Sequence, residues 1–197
     1  MKNLQLRYSY EIREDGKLIK AIKPKKCKSF TNNWAAIMYG IMGGGFCSIT
    51  DVDNSTINAC LGVKFGAAYT CNMSIASGAG AETSGIQVGT GTTAPTIDDY
   101  VMETLIAHGS SASQLQYAAC TVGSASSDAS DATFRATRVF TNASGGSITV
   151  EEIGIVMLIN YDQGSGAYAL IVRDVTGGIA VANTQSLTLN YDFTTSL

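Results

Sequence analysis

The sequence predicts a mainly β protein: an antiparallel β-sandwich with an N-terminal β-hairpin and one short α-helix. Three observations predict it. The 197 residues include 21 glycines but only two prolines, and Ser, Thr and Ala are abundant, a composition that suits short strands and tight turns. From residue 85 onward, seven segments of strand length and strand composition follow one another, separated by turn formers. The alternation of strands with long helices that builds parallel sheets is missing. With 15% charged residues and a mean hydropathy of +0.12, the chain is far from the polar, highly charged composition of disordered proteins. Its length suffices for a core of its own without metals or disulfides.

The elements follow in order. Leu4 to Ile12 and Leu18 to Ile22 flank Glu14-Asp15-Gly16-Lys17, and Asp-Gly between two alternating segments signals a type I′ hairpin turn. Tyr8, Tyr10 and Ile12 share one face of that hairpin. After Pro24, Ser29 or Thr31 can cap a helix over Thr31 to Met42, in which Phe30, Trp34, Ile37, Met38, Ile41 and Met42 recur at helical spacing until Gly43-Gly44-Gly45 ends it. Residues 1–45 thus form a basic hairpin plus helix, and residues 46–197 a sandwich body, the two making one cooperative unit. Short strands are expected around Ala59 to Phe65. Clearer strands follow at Gly85 to Gly89, Glu103 to His108, Leu115 to Val122, Thr133 to Thr141, Ser147 to Ile159, Tyr168 to Val175 and Ser186 to Phe193, with turns through Ser124 to Ser130 and Asp162 to Gly166. Arg135 and Arg138 alternate with Phe134, Ala136 and Val139, as expected for one wet and one buried face.

Charge is divided along the chain. Residues 1–28 hold nine Lys or Arg against three acids, a net of +6, and the remaining 169 residues hold four against thirteen, a net of −9. A basic end on an acidic body suits head-to-tail packing of identical subunits or docking on an acidic partner. A surface this poor in charge also favours burial in an assembly. Lys23, Lys25, Lys26, Lys28 and Trp34 are therefore the expected assembly contacts. The uncharged run 29–50 is too short in apolar residues and too rich in glycine to span a membrane.

The chemistry is sparse. A single histidine, His108, cannot build a multi-histidine metal site, and no serine lies in a G-x-S-x-G elbow. Cysteines 27, 47, 60, 71 and 120 lack zinc spacing, so they read mainly as small buried residues. Cys27, between Lys26 and Lys28, is the candidate for an intersubunit disulfide, because neighbouring cations favour the thiolate. Asp51-Val-Asp53-Asn54 begins like a calcium loop but lacks its later ligands, which leaves an Asx-turn. Gly89-Thr-Gly91-Thr-Thr-Ala94 imitates a dinucleotide fingerprint, yet Pro95 follows and no βαβ unit surrounds it, so it reads as a turn leading to Asp98-Asp99-Tyr100. The lysines near residue 25 have no interleaved aromatics, as a nucleic-acid surface would. No catalytic residue, metal or cofactor is expected, and no nucleic-acid or membrane partner.

Several stretches go beyond composition. They run from Arg7-Tyr-Ser-Tyr-Glu-Ile-Arg-Glu-Asp-Gly-Lys17 through Ser29-Phe-Thr-Asn-Asn-Trp34 to Tyr39, and from Val88-Gly-Thr-Gly-Thr-Thr-Ala-Pro-Thr-Ile-Asp-Asp-Tyr100 to Phe140-Thr-Asn-Ala-Ser-Gly-Gly-Ser-Ile-Thr-Val-Glu-Glu-Ile-Gly154, Leu170-Ile-Val-Arg-Asp174 and Leu187-Thr-Leu-Asn-Tyr191. Together the sequence resembles a loosely defined family of virion structural proteins of tailed bacteriophages, encoded among head, neck and tail genes. The resemblance implies a non-enzymatic virion component, at the neck, collar or head-tail region, assembling as a homo-oligomer with other virion proteins. The alternative it leaves open is a capsid decoration, fibre or receptor-binding protein contacting the host surface. Phe46 to Ala81 matches none of the stretches that carry the resemblance and is the expected variable, exposed part.

Overall fold

The computed structural model describes residues 3–27, 29–44, 46–60, 72–162 and 165–196. It is mainly β, with antiparallel sheets and one short helix. Strands β1 (Asn3–Glu14) and β2 (Lys17–Lys26) form the N-terminal hairpin, and both Asp15 and Gly16 at its turn have positive φ, 47° and 77°, as a type I′ turn requires. The helix α1 (Asn32–Tyr39) follows and runs into a π-turn, Gly40–Gly44. Next come β3 (Phe46–Thr50), β4 (Thr56–Cys60), β5 (Asn72–Ser74) and β6 (Gly85–Gly89). Three two-residue strands follow, β7 (Gln116–Tyr117), β8 (Thr121–Val122) and β9 (Ser126–Ser127). The long strands β10 (Asp131–Thr141), β11 (Ile148–Asp162), β12 (Ser165–Val181) and β13 (Gln185–Ser196) complete the chain.

One sheet has the order β2-β1-β13-β10, with β7, β8 and β9 each pairing part of β10's far side. β1 pairs β13 along its whole length, Asn3 opposite Ser196 and Glu14 opposite Gln185, so the N-terminal hairpin and the C-terminal strand share this sheet. The second sheet has the order β12-β11, with β5 and β6 pairing successive parts of β11. β3 and β4 form a separate hairpin. Alternation along β1 and β13 sends Leu6, Tyr8, Tyr10, Ile12, Leu187, Leu189, Tyr191 and Phe193 into a common core with Ile153, Ile155, Ala169 and Ile171 of the second sheet. Burial of this continuous apolar layer is the main stabilising term.

The centre of the second sheet is buried on both faces. Val156 and Leu170 point away from the main core and meet Met102 from the segment that follows β6. That double burial explains the unbroken apolar runs Ile153–Ile159 and Ala167–Val172, which a one-sided sheet does not need. The free edge of β12 is capped by the chain itself: Thr31 N–H donates to Ile171 O at 3.2 Å, Arg173 N–H to Ser29 O at 3.2 Å and Val52 N–H to Tyr168 O at 3.0 Å.

Three expectations are corrected. Glu103 to His108 is not a strand and makes only isolated bridges, Gly89 to Leu105 and His108 to Leu115. Its N–H groups at Glu103 and Thr104 instead serve a buried carboxylate, so they are not available to a ladder. The helix stops at Tyr39 rather than Met42, and Thr31, although at the cap position, turns its hydroxyl to Leu170 O at 2.5 Å instead of to the helix. Arg138 lies on the buried face of β10 with Ala136 and Phe140, because a period of two puts even-numbered residues together. Residues 61–71, including the end of the strand expected around Ala59 to Phe65, and Lys28 lie outside the described residues.

Candidate assembly surface

The carboxylate of Glu152 on β11, fully buried, accepts hydrogen bonds from Gly91 N–H at 3.2 Å, Thr104 N–H at 2.7 Å and Glu103 N–H at 3.1 Å. A Cβ on Gly91 would sit 2.7 Å from its Oε1, and one on Gly89 would collide with the same atom and with Thr104 O. The glycines therefore clear room for an anion, as in a nucleotide site, but the anion is the chain's own side chain. Arg173 on β12 closes the cluster, meeting Glu152 at 2.6 Å, Asp99 at 2.9 Å and Glu103 at 2.9 Å.

Asp99 also accepts from Thr96 N–H and hydroxyl at 3.1 and 2.8 Å, the turn-capping role its sequence position suggests. Burial raises the pKa of Asp99, but the Thr96 and Arg173 hydrogen bonds outweigh it, so the net shift is downward. Hydrogen bonds from Thr93, with help from Arg173, hold Glu103 below its ordinary range. This network straps the segment 90–106 across the second sheet and is structural.

The other singled-out polar residues are likewise engaged. His108 accepts Tyr117 N–H on Nδ1 at 2.9 Å, and its own N–H donates to Glu82. Asp53 accepts Ser55 N–H at 2.9 Å in the expected Asx-turn, at the tip of the β3–β4 hairpin. Among the described residues no group of three or more His, Cys, Asp or Glu is placed to hold a metal, and no helix is long and apolar enough to cross a membrane.

The surface features lie elsewhere. Where the two sheets part at one end, α1 leaves an open groove of about 640 Å³. Trp34, Met38, Ile41, Met73, Phe134 and Phe193 are among its lining, and no charged side chain is. Trp34 stacks on Phe30 with ring centroids 5.2 Å apart and is packed against the core, so it anchors the helix as well as walling the groove. Leu4, Ile41 and Val122 of its lining are each more than two-fifths exposed, and Met42, next in sequence to Ile41, is 79% exposed. The expected lysine contacts Lys23, Lys25 and Lys26 lie on β2, at the opposite edge of the large sheet from β7–β9, and all three are exposed.

Cys27 departs from expectation. Its side chain packs against the core, and burial first, then the Asp174 carboxylate beside it, pushes the thiol pKa upward, opposite to the effect expected of the neighbouring lysines. Burial, with Asp174 and Cys27 nearby, raises Tyr8 and Tyr191 in the same way. Sequence reasoning missed two organising residues, Arg138 and Asn33. Asn33 bonds both the N–H and the C=O of Thr50 at 2.8 Å and reaches Leu170 O at 3.3 Å, tying helix, β3 and β12 together. The only signal for either was a polar residue on an apolar stripe. No family model, curated protein or solved structure matches the chain.

Proposed function

We propose that the chain is a structural subunit of a tailed-phage virion, at the neck or collar, built in through copies of itself and neighbouring virion proteins rather than acting as an enzyme. The observation that carries the assembly part is the uncharged groove of about 640 Å³ with Leu4, Ile41 and Val122 of its lining exposed. Apolar surface of this kind is costly in water and is relieved by burial against another protein. The virion part rests on the resemblance carried by residues 7–17, 29–39, 88–100, 140–154, 170–174 and 187–191. It fits the structural role of those stretches: they supply the hairpin, the β12 edge, the Glu152–Arg173 strap and the long strands.

Particle reconstruction, or immunogold labelling of purified particles with antibody to this chain, tests the proposal. Label at the head-tail junction is expected. Label spread evenly over the capsid supports the decoration alternative, and label at fibre tips supports host contact. Absence from particles, or reproducible turnover of a substrate panel by the purified chain, rejects the structural role.

A further inference from the structure

The large sheet treats its charges in two ways. Those at its centre are satisfied within the subunit: Arg135 grips Asp192 with bonds of 2.6 and 3.0 Å, Arg13 meets Glu11 at 3.0 and 2.8 Å, and Arg7 bonds Gln5 Oε1 at 3.2 and 2.8 Å. Those at its two edges are in no ion pair among the described residues, although Lys20 lies over the Tyr10 ring at 5.7 Å. On β2, Lys17, Lys20, Lys23, Lys25 and Lys26 are exposed, the strand carries no acid, and none of the five is in an ion pair among the described residues. At the other edge, residues 121–132 are all exposed and include Asp128, just after β9, and Asp131, the first residue of β10, but no Lys or Arg; both aspartates line an open concavity of about 490 Å³ with Arg7, Arg135 and Pro24 of the same subunit. Neither aspartate is in an ion pair among the described residues. Asp128 is fixed in place by Ser130 N–H, Ser130 hydroxyl and Asp131 N–H at 2.8, 3.0 and 2.8 Å, which keep its carboxylate ionised.

We propose that copies of the chain associate head to tail, the lysine edge of β2 in one subunit meeting the Asp128–Asp131 edge of the next. This rests on the assembly role proposed above and names its partner as a second copy of the chain. The other edge-to-edge contacts set like against like: β2 against β2 opposes lysines, and β9 against β9 opposes aspartates. Only the mixed contact pairs opposite signs. Each edge also offers apolar surface, Leu18 and Ile19 on β2 and Val122 on β8, all between about two-fifths and half exposed. β2 and β9 run in the same direction, since every neighbour between them pairs antiparallel, so a copy rotated about an axis along the strands presents the complementary edge directly. Such a contact uses different patches on its two sides and therefore propagates into a ring or a filament instead of stopping at a dimer.

Charge exchange tests it. One variant carries Lys23→Glu, Lys25→Glu and Lys26→Glu, the other Asp128→Lys and Asp131→Lys, and sedimentation velocity at low salt reads self-association. All five positions are exposed, so circular dichroism and melting temperature serve as the folding control. Wild type is expected to associate, each variant alone to associate at least about tenfold more weakly, and an equimolar mixture to recover, because each acidic edge then finds a basic one. Wild-type association in either variant, or a mixture that stays dissociated, overturns the edge contact and leaves the assembly role standing through another surface. A wild type that stays monomeric yet enters particles overturns the inference but not the proposed function. One that stays monomeric and is absent from particles overturns both.

Discussion

Arg138 is the largest side chain with no exposure, and each of its five N–H groups has an acceptor: Ala118 O, Ser84 O, Ile86 O, Gly78 O and Ala81 O, at 2.7 to 3.4 Å. Among the described residues no carboxylate pairs with it. Carbonyl dipoles surround it instead, with the rings of Tyr117 and Phe140 at 4.7 and 5.8 Å from its Cζ. Burial lowers its pKa, with Cys120 and Tyr117 working in the other direction. The guanidinium thereby binds the irregular stretch 78–86 and residue 118 to β10. Arg138→Met fills similar volume but orphans these carbonyls, and we expect a loss of about 3 kcal/mol or more in urea unfolding. Arg138→Lys supplies three donors for five acceptors and should recover only part of that loss. Stability within about 0.5 kcal/mol of wild type in the methionine variant would refute this role.

At the scale of elements, the strap over residues 90–106 depends on one buried carboxylate. Glu152→Gln keeps the shape but removes the most buried of the three carboxylates around nearly buried Arg173 and turns an amide NH2 toward N–H donors, at an expected cost of about 3 kcal/mol. Faster amide exchange confined to residues 90–106 is the matching local sign. Because Asp99 and Glu103 are held below their ordinary values of 3.8 and 4.5, the folded state binds fewer protons than the unfolded chain in this region. Their contribution is complete above about pH 5 and is lost as pH falls through the depressed folded values. Acid titration of the melting temperature should therefore decline below that point, and more weakly in Asp99→Asn, which no longer titrates there.

The β1–β2 turn offers a cleaner case. Gly16 has φ +77° with open space at its Cβ position, so Gly16→Val should cost only the backbone strain, about 1 to 2 kcal/mol, and Gly16→Asn much less. An equal effect of the two substitutions on the melting temperature would exclude backbone strain as the cause.

That turn, β6 and the four long strands were legible in the sequence because their signals are local: Asp15-Gly16 fixes a turn, and alternation fixes a face. The segment 103–108 was not, since its strand-like pattern is overridden by a carboxylate 49 residues away in sequence. Arg138 was misread for the same reason, its partners being 20 to 60 residues distant. The candidate surface divides similarly. The lysines of β2 could be read directly, but the groove is a product of how two sheets and α1 diverge, and the acidic edge at Asp128 and Asp131 emerges only once the strand order is known.

Across the whole molecule, the groups that hold the fold differ from those that face outward. Buried Glu152 and Arg173 pair inside and carbonyls surround Arg138, whereas the groove and Met42 stay exposed and the charges of the two edges are in no ion pair among the described residues. The most direct measurement is sedimentation velocity of the purified wild-type chain over a broad concentration series at low and high salt. We predict a monomer at the lowest concentrations and a growing fraction of discrete higher oligomers above it, weakened by salt where the charged edges contribute. A single monomeric species at every concentration and salt, from a chain with a normal cooperative melt, would contradict self-assembly as its purpose.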